Sequence, residues 1–259
     1  MINHARRKLA EGRLVLCMGV RQLRSPDVAL LAAECGFDAL FVDMEHSAFT
    51  TESASAVSIG ALGTGVTPLV RPPSQAGDGI SRALDTGAQG VIVPHVNDAA
   101  QARSVVHCAR FAPLGRRSVM GPTAALGFHA MPQADVMRTS NEETLVIVML
   151  ETPQAIANAD EIAAVPGIDL LLIGSNDLCA EMGIAGQFRH PKLKEAYEST
   201  AKACKRHGKT LGVGGVRGDP DLQADLYKLG ARFIIAGNDT GYLLAAARKD
   251  VETLRTLAK

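Results

Sequence analysis

The sequence predicts a single (β/α)8 (TIM) barrel domain over residues 1–259, and three observations lead there. Its 259 residues are long for one ordinary domain but typical of this architecture. Short apolar runs without helical periodicity alternate with capped, helix-patterned segments, roughly eight times, with no reversal of order and no change of composition. Several of the apolar runs end on an ionisable side chain, as barrel strands do at the rim where chemistry is built. A doubly wound open sheet is the alternative, but no Gly-x-Gly-x-x-Gly follows the first strand and no Walker-type Gly-Lys-Ser occurs.

After a first helix ending near Gly12, Leu14 to Val20 reads as a strand, and Ser25-Pro26-Asp27 opens a helix with Ser at the cap and Pro in the first turn. That helix stops at Gly36. Asp38 to Asp43 is the second strand, followed by the polar loop Met44-Glu-His-Ser47 and a helix from about Thr51. Thr67 to Arg71 is the third, then Pro72-Pro73 and a helix through Leu84. Gly87-Ala-Gln-Gly90 turns into Val91-Ile-Val-Pro-His95, and Asn97-Asp98 caps a helix reaching about Arg110. From Phe111 to about Asn141 the rhythm breaks, with scattered Pro and Gly and little periodicity. A connection of that length is expected to be a functional loop or an oligomer contact.

The fifth and sixth strands are the apolar runs Leu145 to Leu150 and Leu170 to Ile173, each reading as buried on both faces. Pro153 to Val165 between them is helical and stops at Pro166-Gly167. A right-handed crossover makes these strands parallel, which brings Glu151 and Asp177 to the same edge of the sheet. An insertion, Gly183 to His190, precedes the helix Pro191 to His207. Thr210 to Val213 is a strand, Asp219-Pro220 starts a helix to Leu229, Arg232 to Ala236 is the last strand, and a final helix begins near Asp239.

Composition narrows the classes of partner. Lys plus Arg equals Asp plus Glu at 27 each, so no excess charge favours nucleic acid or an anionic membrane, and any anionic ligand needs a local site. The five cysteines, Cys17, Cys35, Cys108, Cys179 and Cys204, are odd in number and without paired spacing, which argues for reduced thiols and a cytoplasmic setting. The N-terminus lacks the apolar core of a secretion signal, and no run approaches a membrane span.

The predicted rim collects Asp43, Glu45 and His46 from strand two, Arg71 from strand three, His95 from strand four, Glu151 from strand five and Asp177 from strand six. A single carboxylate at a strand end often only caps the next helix, and a single arginine often only pairs an acid. Together the groups make a workable site. Glu151 and Asp177 suit a hard divalent cation such as Mg²⁺ or Mn²⁺, held through oxygen with positions left open for substrate. Gly174-Ser175-Asn176 can form a nest of N–H groups for the carboxylate of a 2-oxo acid. The cation would polarise its carbonyl, His46 held by Asp43 would act as general base, and Arg71 would stabilise the developing oxyanion. This suits reversible carbon–carbon cleavage through a metal-bound pyruvate enolate; Schiff-base chemistry fits poorly, because no lysine ends these strands.

Phe41-Val-Asp-Met-Glu-His46, Val70-Arg-Pro-Pro73, Gly87-Ala-Gln-Gly-Val-Ile-Val-Pro94, Leu150-Glu-Thr152 and Ile173-Gly-Ser-Asn-Asp-Leu178, in this order, resemble the HpcH/HpaI aldolases, with Asp-Met-Glu-His most like the macrophomate synthase side. The resemblance runs from about Leu14 to the final helix and includes Gly237-Asn-Asp239. It implies a class II, metal-dependent aldolase that splits a 4-hydroxy-2-oxo acid into pyruvate and an aldehyde. By position it implies Glu151 and Asp177 as ligands of Mg²⁺, Mn²⁺ or Co²⁺, His46 and Asp43 as an acid/base dyad, and Arg71 on the keto oxygen. It further implies that Asp85 is delivered to a neighbouring subunit, that the segment Asp239 to Lys259 is exchanged between subunits, and that the assembly is a homo-oligomer, commonly a hexamer.

Two departures bear on substrate. Where the family has Pro after Gly174 this chain has Ser175, which adds an N–H donor and freedom to the loop assigned to the oxo-acid carboxylate. Met149 replaces a Gln of some relatives in the wall of the site. Two other functions stay open on sequence alone: a CoA-thioester lyase of the citrate-lyase type, for which Arg103, Arg110 and Arg116-Arg117 offer the only basic surface, and a non-catalytic barrel that binds metal and oxo acid without turnover.

Overall fold

The computed structural model describes residues 1–258; Lys259, the last residue of the predicted exchanged segment, lies outside them. Eight parallel strands close in sequence order into one barrel, as the alternation predicts. The chain runs α1 (His4–Ala10), β1 (Val15–Val20), α2 (Val28–Glu34), β2 (Ala39–Asp43), α3 (Thr51–Ala61), β3 (Thr67–Arg71), α4 (Gly77–Asp85), β4 (Gly90–Val93) and α5 (Ala99–Ala109). It continues through α6 (Gln133–Glu143), β5 (Leu145–Leu150), α7 (Pro153–Ala157), α8 (Ala159–Ala163), β6 (Leu170–Gly174) and α9 (Ser175–Glu181). It ends with α10 (Pro191–Arg206), β7 (Thr210–Gly214), α11 (Pro220–Leu229), β8 (Ala231–Asn238) and α12 (Asp239–Arg255).

Local chemistry explains the boundaries. Asn3, Asp98 and Thr152 each accept a first-turn N–H of the helix they precede, and Thr50 and Ser53 complete a reciprocal capping box on α3. The segment from Phe111 is less irregular than its Pro and Gly content predicts, because α6 forms over its last third. The helix expected over Pro153 to Val165 is two short ones, broken at Asn158, whose side chain donates to the Asn97 carbonyl.

Strands β2 to β6 are buried on both faces along their whole length, for two different reasons. On β5, Ile147 and Met149 point into the barrel with Phe41, Leu69, Ile92, Leu172 and Phe233, while Val146, Val148 and Leu150 point out against the helices. Each fully buried Leu or Ile contributes roughly 1.5–3 kcal/mol of transfer free energy. Ala5 and Leu9 of α1 close the barrel floor.

Arg110 is the bulkiest fully buried side chain, and its guanidinium is spent on the carbonyls of Asn141, Thr144 and Gly167 and on Asp169, 2.6 Å away. The last helix is the opposite case. On α12 only Asp239 is buried, and Leu243, Leu244, Val251 and Leu254 stand exposed. No helix among the described residues is long and apolar enough to cross a membrane.

Candidate active site

The barrel mouth holds a cavity of about 210 Å³ lined by strand ends: Arg21, Phe41, His46, Arg71, Met149, the run Gly174 to Asp177, Arg217 and Asn238 among them. Larger grooves lie on the outside, such as one of about 420 Å³ beside Lys202, Lys205 and Lys209, but they contain none of the predicted reactive groups. The chemistry locates the site at the mouth, where barrel strands deliver side chains.

Asp43, the last residue of β2, is fully buried and gripped by Arg71, the last residue of β3. Their register pairs them directly, and Arg71 Nε and Nη2 donate to the two carboxylate oxygens at 2.9 and 2.7 Å. Arg21, just past β1, adds its Nε at 2.8 Å. Burial pulls the Asp43 carboxyl upward, but the hydrogen bonds and charge of Arg71, the His46 N–H and the charge of Arg21 outweigh it and hold it below the ordinary range.

A direct pairing of Asp43 with the His46 imidazole is not seen within this chain. Asp43 Oδ1 accepts the backbone N–H groups of Glu45 and His46, so it fixes the loop rather than the imidazole. The acid facing the His46 ring is Glu45, at 3.8 Å, and the ring is half exposed to the mouth. The physical reason is competition: two guanidinium groups already occupy the Asp43 carboxylate.

Glu45 is itself a crossing point. Its Oε1 meets His95 Nε2 at 2.9 Å. Its Oε2 lies 2.9 Å from Arg71 Nη1, a charge contact without the alignment of a hydrogen bond, and has no hydrogen-bond partner although buried. His95 adopts a left-handed φ of 57°, unusual for a residue with a side chain, which aims its N–H at Glu151 Oε2, 2.9 Å away.

Glu151 and Asp177 do converge. Glu151 is buried, and its Oε1 has no hydrogen-bond partner. Burial raises its carboxyl above the ordinary range, and the charge of Asp177 adds to that against the lowering effect of His95. Gly174 makes room for it: a Cβ there would sit 2.7 Å from Glu151 Cγ. A buried carboxylate oxygen with no donor, beside a second carboxylate, fits a hard cation. No group of three His, Cys, Asp or Glu forms a closed cage among the described residues. Two protein ligands leave the remaining positions to water and substrate, as Mg²⁺ chemistry prefers.

Asn176 and Asp177 lie in the first turn of α9, which starts at Ser175 directly after β6, so the predicted nest is a helix N-terminus whose first N–H groups have no intrahelical acceptor. Ser175 contributes backbone only. Its hydroxyl is buried against the Tyr197 hydroxyl at 2.8 Å, on the side of α10, and burial, offset by that hydrogen bond, pushes the Tyr197 phenol up to about 12. Met149 lines the wall, 3.7 Å from Arg71 Nη1.

Asp85 does not join this mouth. It ends α4, which runs back from the rim, and Arg117 donates to it at 2.7 Å. With Arg117 buried against Asp85 and Arg110 buried against Asp169, two of the four cations named for a CoA face are unavailable to one. Sequence reasoning missed Arg21, Arg217 and Asn238. The strand-end rule applied to strands two to six finds them when extended to β1, β7 and β8.

The architecture is that of a barrel enzyme with its reactive groups gathered at the C-terminal mouth. The chain belongs to the HpcH/HpaI aldolase/citrate lyase family, whose model matches residues 21–246. A 4-hydroxy-4-methyl-2-oxoglutarate aldolase of Hapsidospora irregularis is 42% identical over 243 residues, covering 93% of this chain and 90% of that protein. The crystal structure of an HpcH/HpaI aldolase from Desulfitobacterium hafniense superposes with a TM-score of 0.91 at 31% identity, covering 96% of this chain and 95% of the other. Macrophomate synthase superposes with a TM-score of 0.80 at 25% identity, covering 98% and 87%.

Proposed function

We propose that this protein is a divalent-cation-dependent aldolase that cleaves a 4-hydroxy-2-oxo acid to pyruvate and a second carbonyl compound, and runs the reverse addition. The observation that carries the reading is the unpartnered Glu151 Oε1 beside Asp177, across the mouth from the Arg71–Asp43 fork. The relative from Hapsidospora irregularis is named for an activity of this class.

Glu151 and Asp177 would hold the cation, which supplies Lewis-acid polarisation of the 2-oxo group. The first-turn N–H groups at Ser175 and Asn176, with Gly174 behind them, receive the C1 carboxylate. In cleavage the C4 hydroxyl proton passes to a base and the C3–C4 bond breaks. Its electron pair moves into C2–C3, placing negative charge on the C2 oxygen, and C3 then takes up a proton to give pyruvate. Arg71 Nη1, the arm of the guanidinium not committed to Asp43, would stabilise that oxygen. His46 is the candidate base, because its imidazole is exposed to the cavity.

The exposed apolar face of α12 supports a second part of the reading. In a cytoplasmic homo-oligomer, a hexamer in the form we favour, α12 packs on a neighbouring copy and Asp85 serves that copy's His46. The deciding experiment is exchange of pyruvate methyl protons for deuterium, followed by proton NMR in chelated protein and again after Mg²⁺ or Mn²⁺ is restored. Cation-dependent exchange is the expected result; folded, cation-loaded protein that exchanges nothing would refute the reading.

A further inference from the structure

The mouth contains three arginines, and their commitments differ. Arg71 is forked onto Asp43, and Arg21 donates to the same carboxylate. Arg217, three residues past β7, lines the same cavity and has no carboxylate within ion-pair distance among the described residues. It is nonetheless held in place. Its guanidinium carbon lies 4.5 Å from the centre of the Tyr242 ring, a cation–π contact. Its side chain passes so close to Gly237 and Gly241 that a Cβ at either would collide with it, at 2.9 Å from Cδ and 2.0 Å from Nη1. Gly241 is the third residue of α12, so a fixed cation sits against the positive end of that helix. Asp239, the acid in that turn, is fully engaged by the N–H groups of Arg21, Gln22, Leu23 and Thr240 and leaves the guanidinium uncompensated.

An oriented arginine without an acid, lining the same small cavity as the carboxylate site of α9, is suited to a second carboxylate. We propose that Arg217 determines specificity by binding a carboxylate attached to C4 of the substrate. The preferred substrates are then dicarboxylic 4-hydroxy-2-oxo acids, and the second product is a 2-oxo acid rather than a simple aldehyde. This rests on the aldolase reading above and assigns a residue to the kind of substrate for which the relative from Hapsidospora irregularis is named. The neutral contacts of Arg217 place the cation; the substrate supplies the charge it lacks.

The test compares kcat/KM for 4-hydroxy-4-methyl-2-oxoglutarate with that for 4-hydroxy-4-methyl-2-oxopentanoate, in which a methyl replaces the C5 carboxylate. The native protein should favour the dicarboxylate, and Arg217→Gln should lower that preference on the order of 30-fold, the scale of one lost charge-assisted hydrogen-bonded pair. Arg217→Lys should fall between, since it keeps charge without the planar fork. As a readout independent of any variant, raising ionic strength from about 0.05 to 0.5 M should erode the native preference by screening. A native protein indifferent to the two substrates, or an active Arg217→Gln protein with the native preference, overturns the proposal. A native protein that cleaves neither and exchanges no pyruvate protons defeats instead the aldolase reading on which it rests.

Discussion

Arg71 binds Asp43 through two parallel hydrogen bonds, at 2.9 and 2.7 Å, with both residues buried at the ends of neighbouring strands. Removing Asp43 strips the buried Arg71 of both parallel hydrogen bonds and leaves it only the Glu45 contact, which costs more than removing both members. Asp43→Ala should therefore lower unfolding free energy by about 3 kcal/mol, and Asp43→Ala with Arg71→Met by distinctly less. Urea titrations of the two proteins decide this; a double variant less stable than the single one contradicts the buried-pair account. Arg71→Lys should fold yet lose on the order of 10²-fold in kcat, because lysine cannot hold Asp43 and face the cavity together.

Glu151→Gln retains an oxygen for the His95 N–H while removing the charge, and Asp177→Asn removes the other charge at nearly constant shape. Each should weaken Mn²⁺ binding at least tenfold by calorimetry with little change in melting temperature. Unaltered Mn²⁺ affinity in both variants would take the cation away from this pair.

His46→Ala should reduce retro-aldol turnover on the order of 10²-fold, the usual contribution of a general base. Because the ring faces Glu45 and not Asp43, Glu45→Gln should also lower that rate, by loosening the orientation of the imidazole. A normal rate in His46→Ala moves the base elsewhere on the rim.

Stability in acid should report Asp239. Burial pulls its carboxyl upward, but the N–H groups of Leu23, Gln22, Thr240 and Arg21 outweigh that and hold it below the ordinary value. A depressed carboxyl stabilises the fold at pH above its unfolded value of about 3.9, and that contribution is lost as pH falls through the lower folded value. Native protein should melt higher than Asp239→Asn near pH 7, and the gap should close below about pH 4. A gap that persists undiminished in acid excludes this carboxylate as its source.

Leu243→Asp with Leu254→Asp places charge on the exposed face of α12 and should reduce the sedimentation coefficient without loss of helix content. Identical sedimentation means that this face does not make the assembly contact.

Much of this was legible in the sequence. Leu145 to Leu150 and Leu170 to Ile173 are continuous apolar runs because barrel strands are buried on both faces, and the crossover rule alone places Glu151 beside Asp177. What pattern could not supply was the choice of partner. Asp43 has His46 three residues away, yet spends its carboxylate on Arg71 and Arg21, which approach from other strands. Ser175 reads as one more backbone N–H beside the oxo acid, and only the packing of α10 shows where its hydroxyl goes, to Tyr197. Such choices are long-range, and chain spacing carries no record of them.

Gly174 makes the order of mutation matter. While Glu151 keeps its place, any side chain at 174 collides with it, so every single-step replacement of the glycine displaces the carboxylate. A lineage that first shortened Glu151, surrendering its cation, could afterwards fill position 174, and with that side chain in place regaining the glutamate would require two changes, the glycine first. The neighbouring pair thus acts as a historical ratchet: activity lost at this corner of the barrel becomes progressively harder to recover.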